Sequence, residues 1–233
     1  MILVLCSPGH VATAVSEALE GLHEDVRRAD PASELFTEAI GCNVILYVPE
    51  PRLLDARGVA MANAARTRDV IRVAYARGAS HVVLVEPLAS ARSQDERRLQ
   101  RDGVDITIVR SPALINELAD AMNLHTAGSV WLPRGRRVEL TSRAALARSI
   151  RFALLFSELR GGVVHVPSEL MEVAEAMRRA AAIAGASVKV RASAPAIART
   201  VRKLRAWFGV GPAEVEALCE RLGGSAAVAS ARA

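Results

Sequence analysis

Residues 2–19, ILVLCSPGHVATAVSEAL, form the most informative segment of this sequence. Ile2–Cys6 is a continuous apolar run, which is typical of a strand that is covered on both faces. A turn containing Gly9 follows, and His10–Leu19 then has the apolar spacing of a helix. A buried strand that passes through a glycine turn directly into a helix predicts the start of a βαβ unit.

The same alternation continues along the chain. Apolar runs predict further strands at Asn43–Val48, His81–Val85, Ile106–Val109 and Val163–Val166, and helical spacing predicts helices at Ala32–Ile40, Asp55–Arg77 and Gln94–Arg101. This order predicts an α/β fold, a doubly wound parallel sheet of the Rossmann type. We expect Ile2–Cys6 to be central in it, flanked by the strands at 43–48 and 81–85. Ligands of such sheets bind at the carboxyl ends of the strands.

The part after Pro112 is predicted to be rich in helices. These are expected at Ala113–Leu124, Ser142–Leu159, Ser168–Gly185, Pro195–Phe208 and Pro212–Leu222, with short extended pieces at Val130–Leu140. Glu169 and Glu172 fall in the first turns of the third of these helices, where the helix dipole favours acids. We expect residues 1–124 to form the Rossmann-like core, residues 125–222 to complete the same domain around the substrate pocket, and residues 223–233 to be a disordered tail.

Composition excludes several classes of protein. With 233 residues, of which 51% are apolar, the chain has the material for one large buried core. Its cysteines, Cys6, Cys42 and Cys219, have no paired spacing, so we expect neither a disulfide framework nor a metal site. The first residues lack a basic region, and no apolar stretch approaches the ~18 residues of a membrane span. We therefore expect a cytoplasmic protein without a membrane span.

The charges are unevenly distributed. Residues 1–120 have a net charge of −4 and residues 121–233 have +9. Residues 186–208 contain lysines and arginines but no acid. This segment favours either a surface helix packed by its apolar stripe or a contact with nucleic acid or an acidic partner.

The glycine turn has part of the pattern of a dinucleotide site. In such sites glycines allow a tight bend and the close approach of a pyrophosphate, which the helix N-terminus then binds. Here Gly9 is present and Ala12 can serve as the third position, but Cys6 replaces the first glycine and Pro8 removes an N–H donor. The turn therefore predicts weak binding of NAD or NADP, or an ordinary turn without a ligand.

Three segments together resemble the NmrA-like branch of the atypical short-chain dehydrogenases/reductases. They are ILVLCSPGHVATAV at residues 2–15, RADPASELFTEAIGCNVILYVPEP at 28–51, and DERRLQRDGVDITIVRSPALINEL at 95–118. The resemblance implies a Rossmann fold and a nicotinamide dinucleotide. It places Ser7, Gly9, His10, Val11, Asp30, Val48 and Pro49 at the cofactor, and Arg110 and Asn116 at the substrate.

The classical catalytic pair of short-chain dehydrogenases, a Tyr with a Lys four residues later, is missing, as the resemblance to the NmrA-like branch implies. Tyr47 and Tyr75 are followed at the fourth position by Pro51 and Ala79, so no Tyr-x-x-x-Lys pair exists. This favours a small-molecule or dinucleotide sensor, or a non-standard enzyme. The alternative is an NAD(P)H-dependent reductase of a small carbonyl or quinone. A third hypothesis is a cofactor-free enzyme in which Glu86 or His10 acts as the base.

The chain departs from this family in the short connection after the first helix. Family members place two strands there, whereas this chain has room for one, at Glu24–Ala29. Either the strand that binds the adenosine ribose has been deleted, or the single strand is that strand and Asp30 accepts the ribose hydroxyls. In the second case an acid would repel the 2′-phosphate of NADP, although Arg27 and Arg28 could offset this.

The remaining candidates concern reactivity and assembly. A helix N-terminus can activate a thiol, but Cys6, at the end of a buried strand, is expected to be inert. His81 is expected to satisfy a loop hydrogen bond. Loss of one strand should leave an apolar sheet edge, and the helix Asp55–Arg77 offers small residues to a second copy, so we expect a homodimer.

Overall fold

A computed structural model describes residues 1–22, 24–30, 34–49, 56–87, 104–123, 128–186 and 188–193. The described residues form two compact units. The first comprises those of Met1–Ser111 and Arg143–Pro167, and the second comprises those of Pro112–Ser142 and of the chain after Pro167. The helices predicted at 94–101, 195–208 and 212–222 and the tail at 223–233 lie outside the described residues.

The strands and helices of the described residues are as follows. The strands are β1 Ile2–Leu5, β2 Val26–Ala29, β3 Val44–Tyr47, β4 His81–Pro87, β5 Asp105–Ser111, β6 Ala113–Leu114, β7 Gly128–Pro133, β8 Arg137–Thr141, β9 Val163–His165, β10 Glu169–Glu172 and β11 Val188–Ser193. The helices are α1 His10–Leu19, α2 Leu35–Glu38, α3 Ala56–Arg77, α4 Ile115–Asn123, α5 Arg143–Leu155 and α6 Val173–Ala184, with a 3₁₀ turn at Ser157–Leu159.

The first unit contains a six-stranded sheet in the order β2-β1-β3-β4-β5-β9. Every pairing in it is parallel, which confirms the predicted α/β fold. The expected position of the first strand is wrong. β1 lies between β2 and β3, because β2 pairs with the side of β1 where β4 was expected. The strand β4 pairs with β3 instead. The centre of the sheet is therefore β3 and β4.

Helices cover both faces of this sheet. One face packs the side chains of Leu3, Tyr47, Leu84 and Ile108 against α2 and α3, including the buried Val70 of α3. Helices α1 and α5 contact each other, and α5 also contacts β4, β5 and β9, so they belong to the opposite face. Burial of both faces explains why the strands have continuous apolar runs.

The second unit is a smaller assembly of strands and two helices. β8 pairs antiparallel with β10 and parallel with β6, while β7 pairs parallel with β11. Its core includes Leu118 of α4, Val138 of β8 and Met177 of α6. The prediction of one helix over 168–185 is wrong at its start. Glu169–Glu172 is a strand because it pairs with β8, and the helix begins at Val173.

Candidate functional site

The turn between β1 and α1 is built around Gly9. Gly9 precedes the first helical residue with φ 148° and ψ −169°, a conformation that side chains with a Cβ rarely adopt. A Cβ built on Gly9 would meet no heavy atom of the described residues within 4 Å. Glycine is thus required by the backbone, and the space beside it is open. No other described residue of the turn has a positive φ, so Cys6 makes the bend without strain.

The first turn of α1 provides an environment that favours anions. The Gly9 carbonyl accepts hydrogen bonds from the Thr13 N–H at 3.1 Å and the Thr13 Oγ1 at 3.2 Å, which fixes the start of the helix. The N–H groups of a first helical turn have no partner within the helix, and the dipole there attracts negative charge. No acid lies in this turn. His10 and Val11 are half-buried and Pro8 is exposed.

The environment of the Cys6 thiol disfavours its thiolate form near neutral pH. Burial raises its pKa to about 11, and the positive charge of Arg28 offsets only part of this effect. Its Sγ lies 3.3 Å from the Ser7 carbonyl oxygen. The raised pKa agrees with the expectation of an inert thiol, which stays a prediction; Ser7, which is half-buried, follows Cys6 in the turn after β1.

Two neighbouring strands end beside this turn. The Val48 N–H donates to the Leu5 carbonyl at 2.9 Å, which holds Val48 and the buried Pro49 next to the end of β1. On the other side, β2 pairs with β1 from Ile2↔Val26 to Leu5↔Ala29. The exposed Asp30 comes directly after β2. The single strand thus lies next to β1, which is the position of the ribose-binding strand in dinucleotide-binding sheets.

Glu86, Arg110 and His165 are aligned across three neighbouring strands. Glu86 of β4 is the register partner of Arg110 of β5, and Arg110 is the register partner of His165 of β9. Register partners in a sheet project from the same face, on strands about 4.8 Å apart. Glu86 and Arg110 are half-buried, and His165 is exposed. The structure therefore brings the predicted base and the predicted substrate-binding arginine together at the carboxyl edge.

Two other candidates belong to other elements. Asn116 is half-buried in α4, which belongs to the second unit. His81 begins β4, so it lies at the end of the sheet opposite to the glycine turn. Within the described parts of the chain, no group of three or more His, Cys, Asp or Glu side chains is arranged to hold a metal ion, and none of the helices is long and apolar enough to cross a membrane.

Sequence reasoning missed His165. The strand at 163–166 was predicted, and a histidine at the third residue of a parallel strand must lie near the carboxyl edge. Its alignment with Arg110 depends on the register of β9 against β5, which is set by hydrogen bonds such as that from the Ile108 N–H to the Gly162 carbonyl at 3.0 Å. No local pattern in the sequence encodes that register.

Several solved structures share this fold. The NADPH-dependent quinone oxidoreductase of Escherichia coli, complexed with NADPH, aligns with a TM-score of 0.66 and 15% identity over 97% of this chain and 89% of that one. The triphenylmethane reductase of Citrobacter sp., complexed with NADP(H), aligns with a TM-score of 0.65 and 14% identity over 96% and 90%. A nucleoside-diphosphate-sugar epimerase of Staphylococcus aureus aligns with a TM-score of 0.62 and 16% identity over 95% and 90%.

These similarities establish the fold of the chain. It is the Rossmann-like α/β fold found in these reductases and epimerases, as the resemblance to the NmrA-like branch implied. No protein-family model and no curated protein matches the sequence.

Proposed function

We propose that this protein binds a nicotinamide dinucleotide at the carboxyl ends of β1, β2 and β3. The observation that carries the proposal is the conformation of Gly9, which leaves open space beside the N-terminus of α1. A pyrophosphate placed there would approach the backbone closely and accept hydrogen bonds from the first helical turn. The dinucleotide would extend toward Asp30 at its adenosine end and toward Glu86 at its nicotinamide end.

Binding is expected to be weak. The Cβ of Cys6 stands where dinucleotide sites have their first glycine, and Pro8 supplies no N–H donor. Tyr47 is buried in the core and Tyr75 lies exposed on α3, and neither is followed by a lysine at the fourth position, so the usual Tyr-x-x-x-Lys pair is missing. We therefore favour a dinucleotide-binding or sensing protein, or an enzyme that uses other groups.

The adenosine end favours NAD over NADP. Asp30 follows the strand next to β1, where a carboxylate accepts the ribose hydroxyls and repels a 2′-phosphate. Arg27 could offset this repulsion, but its Nη1 donates to the Glu38 carbonyl at 3.0 Å, which directs the side chain toward α2. Arg28 then remains as the basic group on this strand that could attract the phosphate.

The alternative function is reduction of a small carbonyl or quinone by NADH or NADPH. Two observations support it. The quinone oxidoreductase named above is complexed with NADPH, and the triphenylmethane reductase is complexed with NADP(H). The aligned Glu86 and Arg110 also lie where the nicotinamide end would reach.

Calorimetric titration of the protein with NADH and NADPH tests the proposal. We expect weak binding, with NADH bound more tightly than NADPH. Gly9→Ala should abolish it, because the added Cβ strains the turn and enters the phosphate space. Gly21→Ala is a matched control, since Gly21 also has a positive φ and open space but lies after the other end of α1. Dinucleotide affinity that Gly9→Ala leaves unchanged would refute the site. Oxidation of NADH by a benzoquinone would favour the reductase.

We also propose a homodimer formed through α3. Val70, Val73 and Ala74 are buried on the sheet side of this helix, while Tyr75 is 64% exposed on another side. The sequence suggested that an apolar sheet edge would drive dimerisation. The edge strand β2 instead exposes Arg27 and Arg28, and such charges discourage pairing of sheet edges, so the proposed dimer does not use this edge. Light scattering at high micromolar concentration should give a dimer mass that salt does not change, and a monomer mass would refute it.

A further inference from the structure

We infer that Glu86, Arg110 and His165 form a recognition site for a small hydroxy acid, a molecule that carries both a carboxylate and a hydroxyl group. This site lies at the nicotinamide end of the proposed dinucleotide, so its role as a substrate site rests on the proposed function. The alignment itself does not depend on a bound dinucleotide.

The three side chains share one face of the sheet. Glu86 alternates in phase with Val82 and Leu84, and Arg110 alternates in phase with Ile106 and Ile108. These apolar residues pack on the side of α3. His165 follows the same phase through its register with Arg110. Glu86, Arg110 and His165 therefore form a row that extends the α3 face of the core to the carboxyl edge of the sheet, where ligands of open α/β sheets bind.

Hydrogen bonds between the strands hold the backbone beneath these three residues. The Val166 N–H donates to the Arg110 carbonyl at 2.9 Å, one residue beyond the last register pair. Val109, which precedes Arg110, and Val166, which donates this hydrogen bond, are both buried, and this packing helps to hold the two strands together. Recognition groups placed on paired strands hold their geometry better than groups on loops.

The chemistry of the row fits a carboxylate better than a phosphate. The planar guanidinium of Arg110 matches a carboxylate in a two-point contact. The exposed His165 imidazole makes no hydrogen bond or ion pair with other described side chains, so it can donate to the same group. Glu86 on the other side would repel a phosphate dianion but can accept a hydrogen bond from a hydroxyl group.

The spacing limits the size of the molecule. Three strands about 4.8 Å apart place the outer members of the row about 10 Å apart at the backbone. Side chains that converge on one ligand from these positions can reach a carboxylate and a hydroxyl on adjacent carbons. Lactate is a small probe that carries both groups on adjacent carbons.

Nuclear magnetic resonance titration of the full chain with lactate, without dinucleotide, tests the inference. The readout is the shift of the His165 ring signals, which are identified by their loss in His165→Gln. We expect saturable shifts with lactate and none with propane-1,2-diol, which lacks the carboxylate. Propionate, which lacks the hydroxyl, should bind more weakly than lactate, and Glu86→Gln should reduce that difference.

Variants at the arginine separate recognition from folding. Arg110→Lys keeps the charge but loses the planar fork, so lactate affinity should fall about tenfold or more. Arg148→Lys, at an exposed arginine of α5, is the matched control and should leave the affinity unchanged. Thermal unfolding of both variants checks that they remain folded.

Three results would overturn the inference: no saturable shift with lactate, equal shifts with propane-1,2-diol, or tighter binding of inorganic phosphate than of lactate. Failure of the dinucleotide proposal gives a different pattern. In that case calorimetry detects no NADH binding, while the lactate titration still shows whether the row binds a hydroxy acid.

Discussion

The Nε2 atom of His81 lies 2.8 Å from the Oγ1 atom of Thr107. This contact joins the neighbouring strands β4 and β5 near the amino end of β4. The Thr107 hydroxyl donates its proton to the Leu159 carbonyl at 3.0 Å, so it must accept from the His81 Nε2–H. His81 therefore carries a proton on Nε2, and burial of the ring favours its neutral form. Its Nδ1 is buried and has no hydrogen-bond partner among the described residues.

The first prediction is that stability decreases in acid because of His81. Burial, with a further contribution from the positive charge of Arg160, lowers the His81 pKa from 6.5 to about 4. Above pH 6.5 the folded and unfolded chains both hold a neutral ring, and the stability contribution is complete. Between pH 6.5 and 4 only the unfolded chain binds a proton, so the free energy of unfolding falls by about 3 kcal/mol from this group.

Urea unfolding at several pH values measures this loss. His81→Phe should have a shallower decrease between pH 6.5 and 4 than the natural chain. His165→Gln, which changes an exposed histidine, should keep the full decrease. Equal slopes in the natural chain and in His81→Phe would contradict the assignment.

The second prediction concerns Thr107. Thr107→Val preserves shape but leaves the buried His81 Nε2–H without its partner, whereas the Leu159 carbonyl keeps the hydrogen bond from the Gly162 N–H at 3.1 Å. We expect the free energy of unfolding to fall by about 1–3 kcal/mol at pH 7, as is typical of unsatisfied buried polar groups. Thr37→Val, at an exposed threonine of α2, serves as the control. A loss no larger than in the control would show that the chain of hydrogen bonds contributes little.

The third prediction concerns the backbone at Gly9. An alanine must adopt φ near 148°, which costs about 1–3 kcal/mol of strain. Gly9→Ala should therefore lower the denaturation midpoint as well as the dinucleotide affinity. Gly21→Ala, at φ 70°, should lower the midpoint but keep the affinity. Binding lost equally in both variants would mean that the effect comes from destabilised folding.

The fourth prediction concerns thiol reactivity. With Cys42→Ser and Cys219→Ser in the background, Cys6 is the remaining thiol. Its pKa of about 11 means that the rate of alkylation by iodoacetamide should be low at pH 7 and rise steadily up to about pH 11. A rate that reaches a plateau near pH 7 would show an activated thiolate and contradict the expected inertness.

The fifth prediction concerns the choice between dinucleotides. Asp30→Asn removes the negative charge after β2, so NADPH should gain affinity relative to NADH by about threefold to tenfold. Asp105→Asn, at an exposed acid that begins β5, is the control. A ratio of the two affinities that Asp30→Asn leaves unchanged would place the adenosine ribose elsewhere.

The sequence is informative where physical signals are local. Continuous apolar runs located the strands of the parallel sheet because both faces of that sheet are buried, and Gly9 was identifiable because its turn needs a positive φ. Pairing between distant segments was not predictable. Glu169–Glu172 has helix-favouring acids but pairs with β8, and the position of β1 depends on which strand occupies its outer side. The sequence identified Glu86 and Arg110 as candidates but not His165, because the register of β9 against β5 is set by tertiary contacts.

The first unit is built from two separate stretches of the chain, so its sheet is incomplete during synthesis until the second stretch has been made. β9 completes the sheet beside β5, yet Pro112–Ser142, which belongs to the second unit, is made between them. A nascent chain therefore leaves the ribosome with β5 as an open edge until residue 165 emerges. Fragments that stop before Pro167 should aggregate through this edge, and neither unit can be produced as one uninterrupted piece of the natural sequence.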